Sequence, residues 1–450
     1  MNFTSYVISW NVTRRCNEFC EHCYIHAGPL AQLQDELDTA ECLGVIDQIA
    51  AVNPHALLIL TGGEPLLRPD IFQLARHATD AGLMVVMGTN GVLVTRHTAA
   101  KIADAGVRGV AISIDSLDPA RHDAFRGYSG AWANSVRGMD VLGEVGLPFL
   151  IQTTVVEENY AEIPDLVAWS YEHGAKVFNL YFLVPTGRGA FMSTISPDHY
   201  EALMTTLRHL GEAYRGKMLI NAKCAPHYQR VLWSDNPEHP LLKTFVGAGG
   251  CPAGTQYMGI RPNGDMTPCP YLPVYGGNLR TQTFADIWND SAVFKRIRQR
   301  GELGGKCGPC EFSQMCSGCR ARAYGLTGDY MAEDPWCTYE PGEYGGQVIT
   351  PPRDTYGHEI AYQLDWTTEA RERAGLIPGF VRGKVIEGTE TWAHENGFAV
   401  VTLDVMHRAR EERMGGRVAG VPEFVRRMMA GGGAAGVSAI PGDDSSDAAG

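Results

Sequence analysis

No apolar run in this 450-residue chain approaches the roughly 18 residues needed to cross a bilayer as a helix, so no membrane span is expected. The opening stretch, MNFTSYVISW, has neither a basic segment nor a small-residue cleavage site, and no secretory signal is expected from it. Positive charge is in deficit: 38 Lys and Arg stand against 51 Asp and Glu, for a formal net charge of -13. That balance excludes a broad nucleic-acid footprint but leaves room for a local arginine pocket around an anionic substrate. No internal repeat is visible. Apolar residues make up 44%, ordinary for a chain with a sizeable core, and the length suits about two to three domains. Cysteine is what the chain does have, 12 residues in all. Without a secretion signal they point to metal ligation rather than a disulfide framework, and to a reducing, cytoplasmic setting.

Short apolar runs alternate with amphipathic stretches over residues 5–185. Strands are expected at 5–12, 56–61, 83–90, 107–115, 147–155 and 176–184. Helices are expected at 38–52, 71–81, 98–105, 131–145 and 160–173. Apolar strands alternating with helices predict parallel βαβ units. The fold class is therefore α/β, with a partial (β/α)6 TIM-like barrel over residues 1–190 and chemistry at the C-terminal ends of its strands. Residues 191–250 read as a helical connection. A Cys- and Gly-rich domain follows at 251–340, then a Pro/Gly/Tyr linker at 341–360. A small helical domain is expected at 361–428. The tail at 429–450 has few large apolar residues and is expected to be disordered.

Cys16, Cys20 and Cys23 stand in NVTRRCNEFCEHCYIHAG, directly after the first strand, spaced C-x3-C-x2-C. Three thiolates can hold a [4Fe–4S] cluster and leave one iron open to a small molecule. A zinc site with His22 or His26 as fourth ligand, or a redox cysteine pair, uses the same residues. Gly62-Gly63-Glu64-Pro65 ends the second strand. Glycines let backbone approach a ligand closely and Glu can take an ammonium group, although a tight turn needs the same residues. Asn90 ends the third strand, Ser113 and Asp115 the fourth. Asp115 could equally cap a helix. Thr153 lies on the fifth strand and Arg188 after the sixth, where a surface salt bridge is the plain alternative to carboxylate recognition.

This order of motifs resembles the radical S-adenosylmethionine (SAM) superfamily over about residues 5–190. The resemblance implies that Cys16, Cys20 and Cys23 carry the catalytic [4Fe–4S] cluster. It implies that SAM is held by Gly62, Gly63, Glu64, Pro65, Asn90, Ser113, Asp115, Thr153 and Arg188. The chemistry implied is reductive cleavage of SAM to a 5′-deoxyadenosyl radical. The electron comes from a donor such as ferredoxin or flavodoxin.

A second cysteine set comprises Cys251, Cys269, Cys307, Cys310, Cys316, Cys319 and Cys337. It resembles the SPASM extension, which implies one or two auxiliary [4Fe–4S] clusters. The pattern departs from the family in having two residues, not three, between Cys316 and Cys319. The family's ligand order groups Cys307, Cys310, Cys316 and Cys337. It leaves Cys251, Cys269 and Cys319 one ligand short, with Cys224 or a substrate as candidates for the vacancy. Cys224 also reads as a small buried side chain, and Cys42 as core. A zinc ribbon remains the alternative use of the C-x2-C pairs.

The stretch from Cys251 to Cys337 resembles the tetrapyrrole branch of these enzymes. Residues 366–410, with Trp366, Pro378, Phe380, Arg382, Glu390 and Gly397, resemble the C-terminal domain of a light-independent protochlorophyllide reductase subunit. Together they imply a radical SAM enzyme acting on carboxylate side chains of a tetrapyrrole in haem-type biosynthesis. Oxidative decarboxylation of iron-coproporphyrin III and side-chain removal from a siroheme derivative are two examples, and haem d1 or chlorophyll-type chemistry stays open beside them. The alternative is a peptide maturase with the C-terminal segment as a docking module. Arg320, Arg322, Cys224 and His227 are candidate substrate contacts, the arginines for carboxylates. A solvated helix start is the plain reading of the two arginines. His26 and Tyr228 are further candidate contacts. Arg14, Arg15 and Arg126 could add positive charge near the pocket or sit on the surface.

Overall fold

The computed structural model describes residues 7–192, 195–243, 250–349, 360–377 and 379–413. Parallel strands follow one another across one sheet in chain order: β1 (Val7–Asn11), β2 (Leu57–Thr61), β3 (Met84–Thr89), β4 (Val110–Ser113), β5 (Phe149–Val155), β6 (Val177–Phe182) and β7 (Leu219–Lys223). On the other side of β1, β8 (Tyr257–Ile260) pairs parallel to it. The antiparallel strands β9 (Asp265–Thr267) and β10 (Gly277–Asn278) complete a ten-stranded sheet. Order that never reverses curls a parallel sheet into an open barrel, whereas a doubly wound sheet reverses at a switch point.

Helices α1 (Thr39–Val52), α2 (Ile71–Asp80), α3 (Arg96–Asp104), α4 (Pro119–Arg126), α5 (Ala131–Glu144) and α6 (Ile163–Glu172) connect the first six strands. Local chemistry sets their starts. Asp38 and Glu41 form a capping box on α1. Asp118 accepts from Ala120 and Arg121 ahead of α4, whose first residue is Pro119. This short, charged helix was not expected from periodicity, yet it brings Arg126 to the loops at the C-terminal ends of the strands. Then come α7 (Pro197–Ala213), α8 (His227–Asp235), α9 (Phe284–Asp290), α10 (Ala292–Ile297) and α11 (Arg320–Thr327).

Strand parity divides the sheet into two faces. Trp10, Leu58, Val85, Ile112, Ile151, Phe178 and Ile220 pack outward with Ile46, Leu74, Ile102, Leu142 and Leu166 of the helices. Burying each such side chain contributes roughly 1.5–3 kcal/mol. The inward face carries Thr61, Ser113, Gln152, Thr154, Asn179, Tyr181, Asn221 and Lys223, of which all but Asn179 are half-buried. The lumen is thus polar and incompletely filled.

Two expectations change. Residues 191–250 are not purely helical, because β7 extends the barrel sheet there. The Cys-rich region also shares the barrel sheet through β8. Beyond it, β11 (Asp365–Trp366) pairs with β12 (Val400–Val401), alongside α12 (Thr368–Gly375), α13 (Gly379–Glu395) and α14 (Leu403–Arg413). These have their own core of Trp366, Ile386, Trp392, Val401 and Val405. Glu390 accepts from Trp366 Nε1 at 2.9 Å and from the Gln363 and Leu364 amides. The second half of the linker, residues 414–428 of the small domain and the tail lie outside the described residues. Among the described residues no helix is long and apolar enough to cross a membrane.

Candidate active site

The loop after β1 presents Cys16, Cys20 and Cys23 at the C-terminal end of the strands. The turn after β2 lies against it: the Gly63 amide donates to the Thr13 carbonyl (2.7 Å) and the Glu64 amide to that of Arg15 (2.8 Å). A Cβ on Gly63 would sit 2.3 Å from the Arg15 oxygen, and one on Gly62 2.7 Å from that of Thr13. These glycines are therefore required by close backbone approach. Pro65 opens a 3-10 turn capped by Glu64. The Glu64 carboxylate is buried and accepts from Thr89 Oγ1 (2.8 Å) and the amides of Asn90 (2.9 Å) and Leu66 (3.0 Å). Burial pushes it up to about 7 in spite of those donors. Asn90 Nδ2 donates to Asn17 Oδ1 (2.8 Å) and lies 4.0 Å from Cys16 Sγ.

Ser113 ends β4 on the inward face. Asp115 caps no helix: its carboxylate accepts from the Thr154 amide and from Arg126 Nε, both at 2.7 Å. Arg126 is buried, not on the surface, with Nη1 3.8 Å from Cys20 Sγ and 3.9 Å from Glu18. Thr153 shares parity with Ile151 and Val155, and its hydroxyl donates to the Ile114 carbonyl (2.6 Å). It faces away from the lumen, unlike its neighbour Thr154, so the expected reach of its side chain toward SAM is not met. Arg188 forms no salt bridge among the described residues. It donates to the carbonyls of Cys20 (2.7 Å) and Ala27 (2.8 Å) and lies 4.0 Å over the Phe19 ring. Its Nη2 is buried without a hydrogen-bond partner among the described residues.

The donor set fits an iron–sulfur cluster. Amides of Glu18 and Ala27 point at Cys16 Sγ (3.4 Å) and Cys23 Sγ (3.3 Å). Burial pushes the Cys16 thiol up to about 12 and that of Cys20 well above its ordinary value, so each holds its proton until metal displaces it. Zinc fits poorly. Its four ligands sit roughly 3.8 Å apart around a 2.3 Å bond. Among the described residues no three cysteine sulfurs lie within 4.8 Å of one another. His22 stacks on Phe125 at 4.4 Å instead of joining the cysteines.

Cys307, Cys310, Cys316 and Cys337 line one cavity with His227, Arg230 and Tyr339. Cys251, Cys269 and Cys319 share a separate apolar cluster with Val184, Leu272 and Ile297, and Cys224 packs against it. Buried cations attend both groups. Arg230 pairs with Glu201 beside the first, and Arg300 donates to the Cys251 carbonyl beside the second. Arg320 and Arg322 are neither a solvated helix start nor open to a ligand. Arg322 pairs with buried Asp334 at 2.7 Å and stacks 4.2 Å from Trp336. Arg320 donates to the carbonyls of Tyr330 (3.0 Å) and Ala332 (2.6 Å). His227 is buried, with Nδ1 2.7 Å from Tyr200 Oη. Tyr228 and Cys42 belong to the main core.

Residues 10–170 match the family model of the radical SAM superfamily, and residues 251–320 that of an iron–sulfur cluster-binding domain. The AdoMet-dependent heme synthase of Methanosarcina barkeri is 40% identical over 343 residues, covering 75% of this chain and 97% of that protein. This chain belongs to the radical SAM superfamily. It is also 31% identical to the pre-heme d1 synthase of Dinoroseobacter shibae over 361 residues, 75% of this chain and 87% of that one. Residues 366–410 match the model of the proto-chlorophyllide reductase 57 kD subunit. Streptococcus suis SuiB bound to S-adenosylmethionine shares the fold, with a TM-score of 0.61 at 17% identity over 75% of this chain and 78% of that one. As a radical SAM enzyme, the protein uses SAM, a three-cysteine [4Fe–4S] cluster and an auxiliary cluster domain.

The lumen of this radical SAM barrel holds residues not singled out in the sequence. Tyr24 and Tyr271 meet at 4.5 Å between ring centroids, and Tyr181 lies 6.1 Å from Tyr271. Tyr24 Oη donates to Asn11 Oδ1 (2.7 Å), and Gln152 Nε2 reaches Tyr181 Oη at 3.5 Å. Lys223, paired in register with Tyr181, has no acceptor for its ammonium among the described residues. Burial lowers its pKa. The one signal in the sequence was the polar alternation in LINAK, inside a stretch expected to be helical.

Proposed function

We propose that this radical SAM enzyme oxidatively decarboxylates propionate side chains of iron-coproporphyrin III, giving vinyl groups and haem. The carrying observation is the Lys223 ammonium, unpaired among the described residues, in a tyrosine-walled lumen beside a cysteine cluster. Even a half-buried cation without a counter-charge is costly, and a carboxylate ligand relieves that cost. Phenol rings suit a flat macrocycle. The likeness to a heme synthase over nearly that protein's whole length supports the same reading.

In this reading Cys16, Cys20 and Cys23 hold the catalytic cluster. The Gly62–Pro65 turn, Asn90, Ser113, Asp115 and Arg188 frame SAM, Arg188 through its free Nη2. Cys307, Cys310, Cys316 and Cys337 hold one auxiliary cluster, and Cys251, Cys269 and Cys319 belong to another. When bound, cluster and SAM supply a 5′-deoxyadenosyl radical that takes a hydrogen atom from the propionate chain. The resulting substrate radical releases CO2 and one electron and leaves a vinyl group. That electron has an acceptor within the protein if an auxiliary cluster is oxidised. Lys223 fixes the reacting carboxylate, the tyrosines orient the ring, and the buried rim excludes water. Ferredoxin or flavodoxin in a reducing cytoplasm fits as the source of the first electron.

The test is SAM cleavage under anaerobic conditions with strong reductant. Iron-coproporphyrin III should stimulate 5′-deoxyadenosine formation and didecarboxysiroheme should not. Lys223→Met should raise KM about tenfold, the loss of one charge-assisted contact of about 1.4 kcal/mol, with a smaller change in kcat. Stimulation by neither tetrapyrrole would remove this reading.

A further inference from the structure

Seven cysteines of the Cys-rich domain sort into a quartet and a trio, and the trio needs a fourth ligand from elsewhere. Cys224 stands immediately after β7, at the C-terminal end of the strand at one edge of the sheet. Its side chain packs against the cluster that contains Cys251, Cys269 and Cys319. The Cys224 and Cys319 thiols are close enough to act on each other electrostatically. Cys269 acts on Cys224 in the same way, and Cys251 on Cys319 in turn.

The backbone adds an independent observation. Cys224 has φ +58°, in the left-handed region that side chains other than glycine avoid. Such a residue is strained and persists where the surroundings over-determine it. Here Arg322 does so: its Nη1 donates to the Cys224 carbonyl (3.1 Å) while its other nitrogens grip Asp334, which accepts from the Cys319 amide (2.7 Å). One buried ion pair therefore positions Cys224 and Cys319 together. A small apolar residue at 224 would need none of this, and glycine would fit the backbone better.

We propose that Cys224 is the fourth cysteine ligand of the auxiliary cluster formed with Cys251, Cys269 and Cys319. The metal then cross-links the barrel edge at β7 to the Cys-rich domain. It also closes that cluster to direct coordination by substrate. The assignment is independent of which substrate the lumen takes.

Cys224→Ala, reconstituted anaerobically in the full chain, tests it through iron content and EPR of the reduced protein. With three clusters the wild type holds about 12 irons per chain. The variant should lose up to about a third of that iron, or keep an altered third signal that responds to added cyanide. The SAM-responsive signal and the signal abolished by Cys307→Ala should persist, which also reports correct folding. Wild-type iron with three unaltered signals in Cys224→Ala overturns the proposal. A second measurement needs no variant: iodoacetamide on the fully loaded wild type should spare Cys224 and modify it after iron chelation. Alkylation of Cys224 at full iron loading overturns the proposal equally.

Discussion

At Gly63 the cysteine loop and the turn after β2 are within backbone contact, and no side chain fits between them. Gly63→Ala places a methyl group 2.3 Å from a carbonyl oxygen that cannot move without the cysteine loop. The expected result is loss of about a third of the iron and of the SAM-responsive EPR signal, with auxiliary signals retained. Equal iron in variant and wild type would show that the loop tolerates the displacement. Residues of this kind were legible because glycine, proline and cysteine name their own constraints. Arg320 and Arg322 were not. Their partners are Asp334 and the carbonyls of Tyr330 and Ala332, ten or more residues away, and a helix start rich in arginine looks solvated until those partners fold over it. Lys223 was missed for the converse reason: its significance is a partner it lacks among the described residues.

Among the elements, the buried Arg322–Asp334 pair ties α11 to the segment carrying Cys337. Burial opposes the Asp334 charge, but the Arg322 guanidinium beside it outweighs this and holds the carboxyl well below its ordinary range. Asp334→Asn leaves Arg322 buried without a counter-charge, which costs about 3–5 kcal/mol. The urea midpoint of the loaded protein should fall accordingly. A carboxyl depressed in the folded state stabilises it fully above the unfolded value near 4, and that contribution is lost as pH falls further. The gap between wild type and Asp334→Asn should therefore be constant from about pH 5 to 7 and narrow below about pH 4. A gap that widens on acidification would contradict the assignment. At this scale the first six strands and five connecting helices were legible, because outward positions such as Leu58, Val85 and Ile151 repeat with the period of the element. Strand β7 was not, since LINAK pairs polar lumen residues with a short apolar face. Nor was α4, too short for a periodic signal.

In the whole molecule, the relative from Methanosarcina barkeri is matched over 97% of its length by 75% of this chain. The C-terminal unit has its own core around Trp366 and Trp392. A chain ending at residue 349 should therefore keep its full iron complement and its tetrapyrrole-stimulated SAM cleavage within about twofold. Loss of iron in that truncation would make the C-terminal unit part of a cluster site. The resemblance of this unit to a protochlorophyllide reductase subunit was legible in sequence, whereas the union of barrel and Cys-rich domain through β1 and β8 required the structure.

Mass spectrometry of an anaerobic turnover with iron-coproporphyrin III, SAM and reductant tests the proposed decarboxylation most directly. Oxidative decarboxylation of both propionates gives a product lighter by two molecules of CO2 and four hydrogen atoms, identical to haem, with one 5′-deoxyadenosine formed per carboxyl group lost. SAM cleavage with the tetrapyrrole mass unchanged would contradict that reaction.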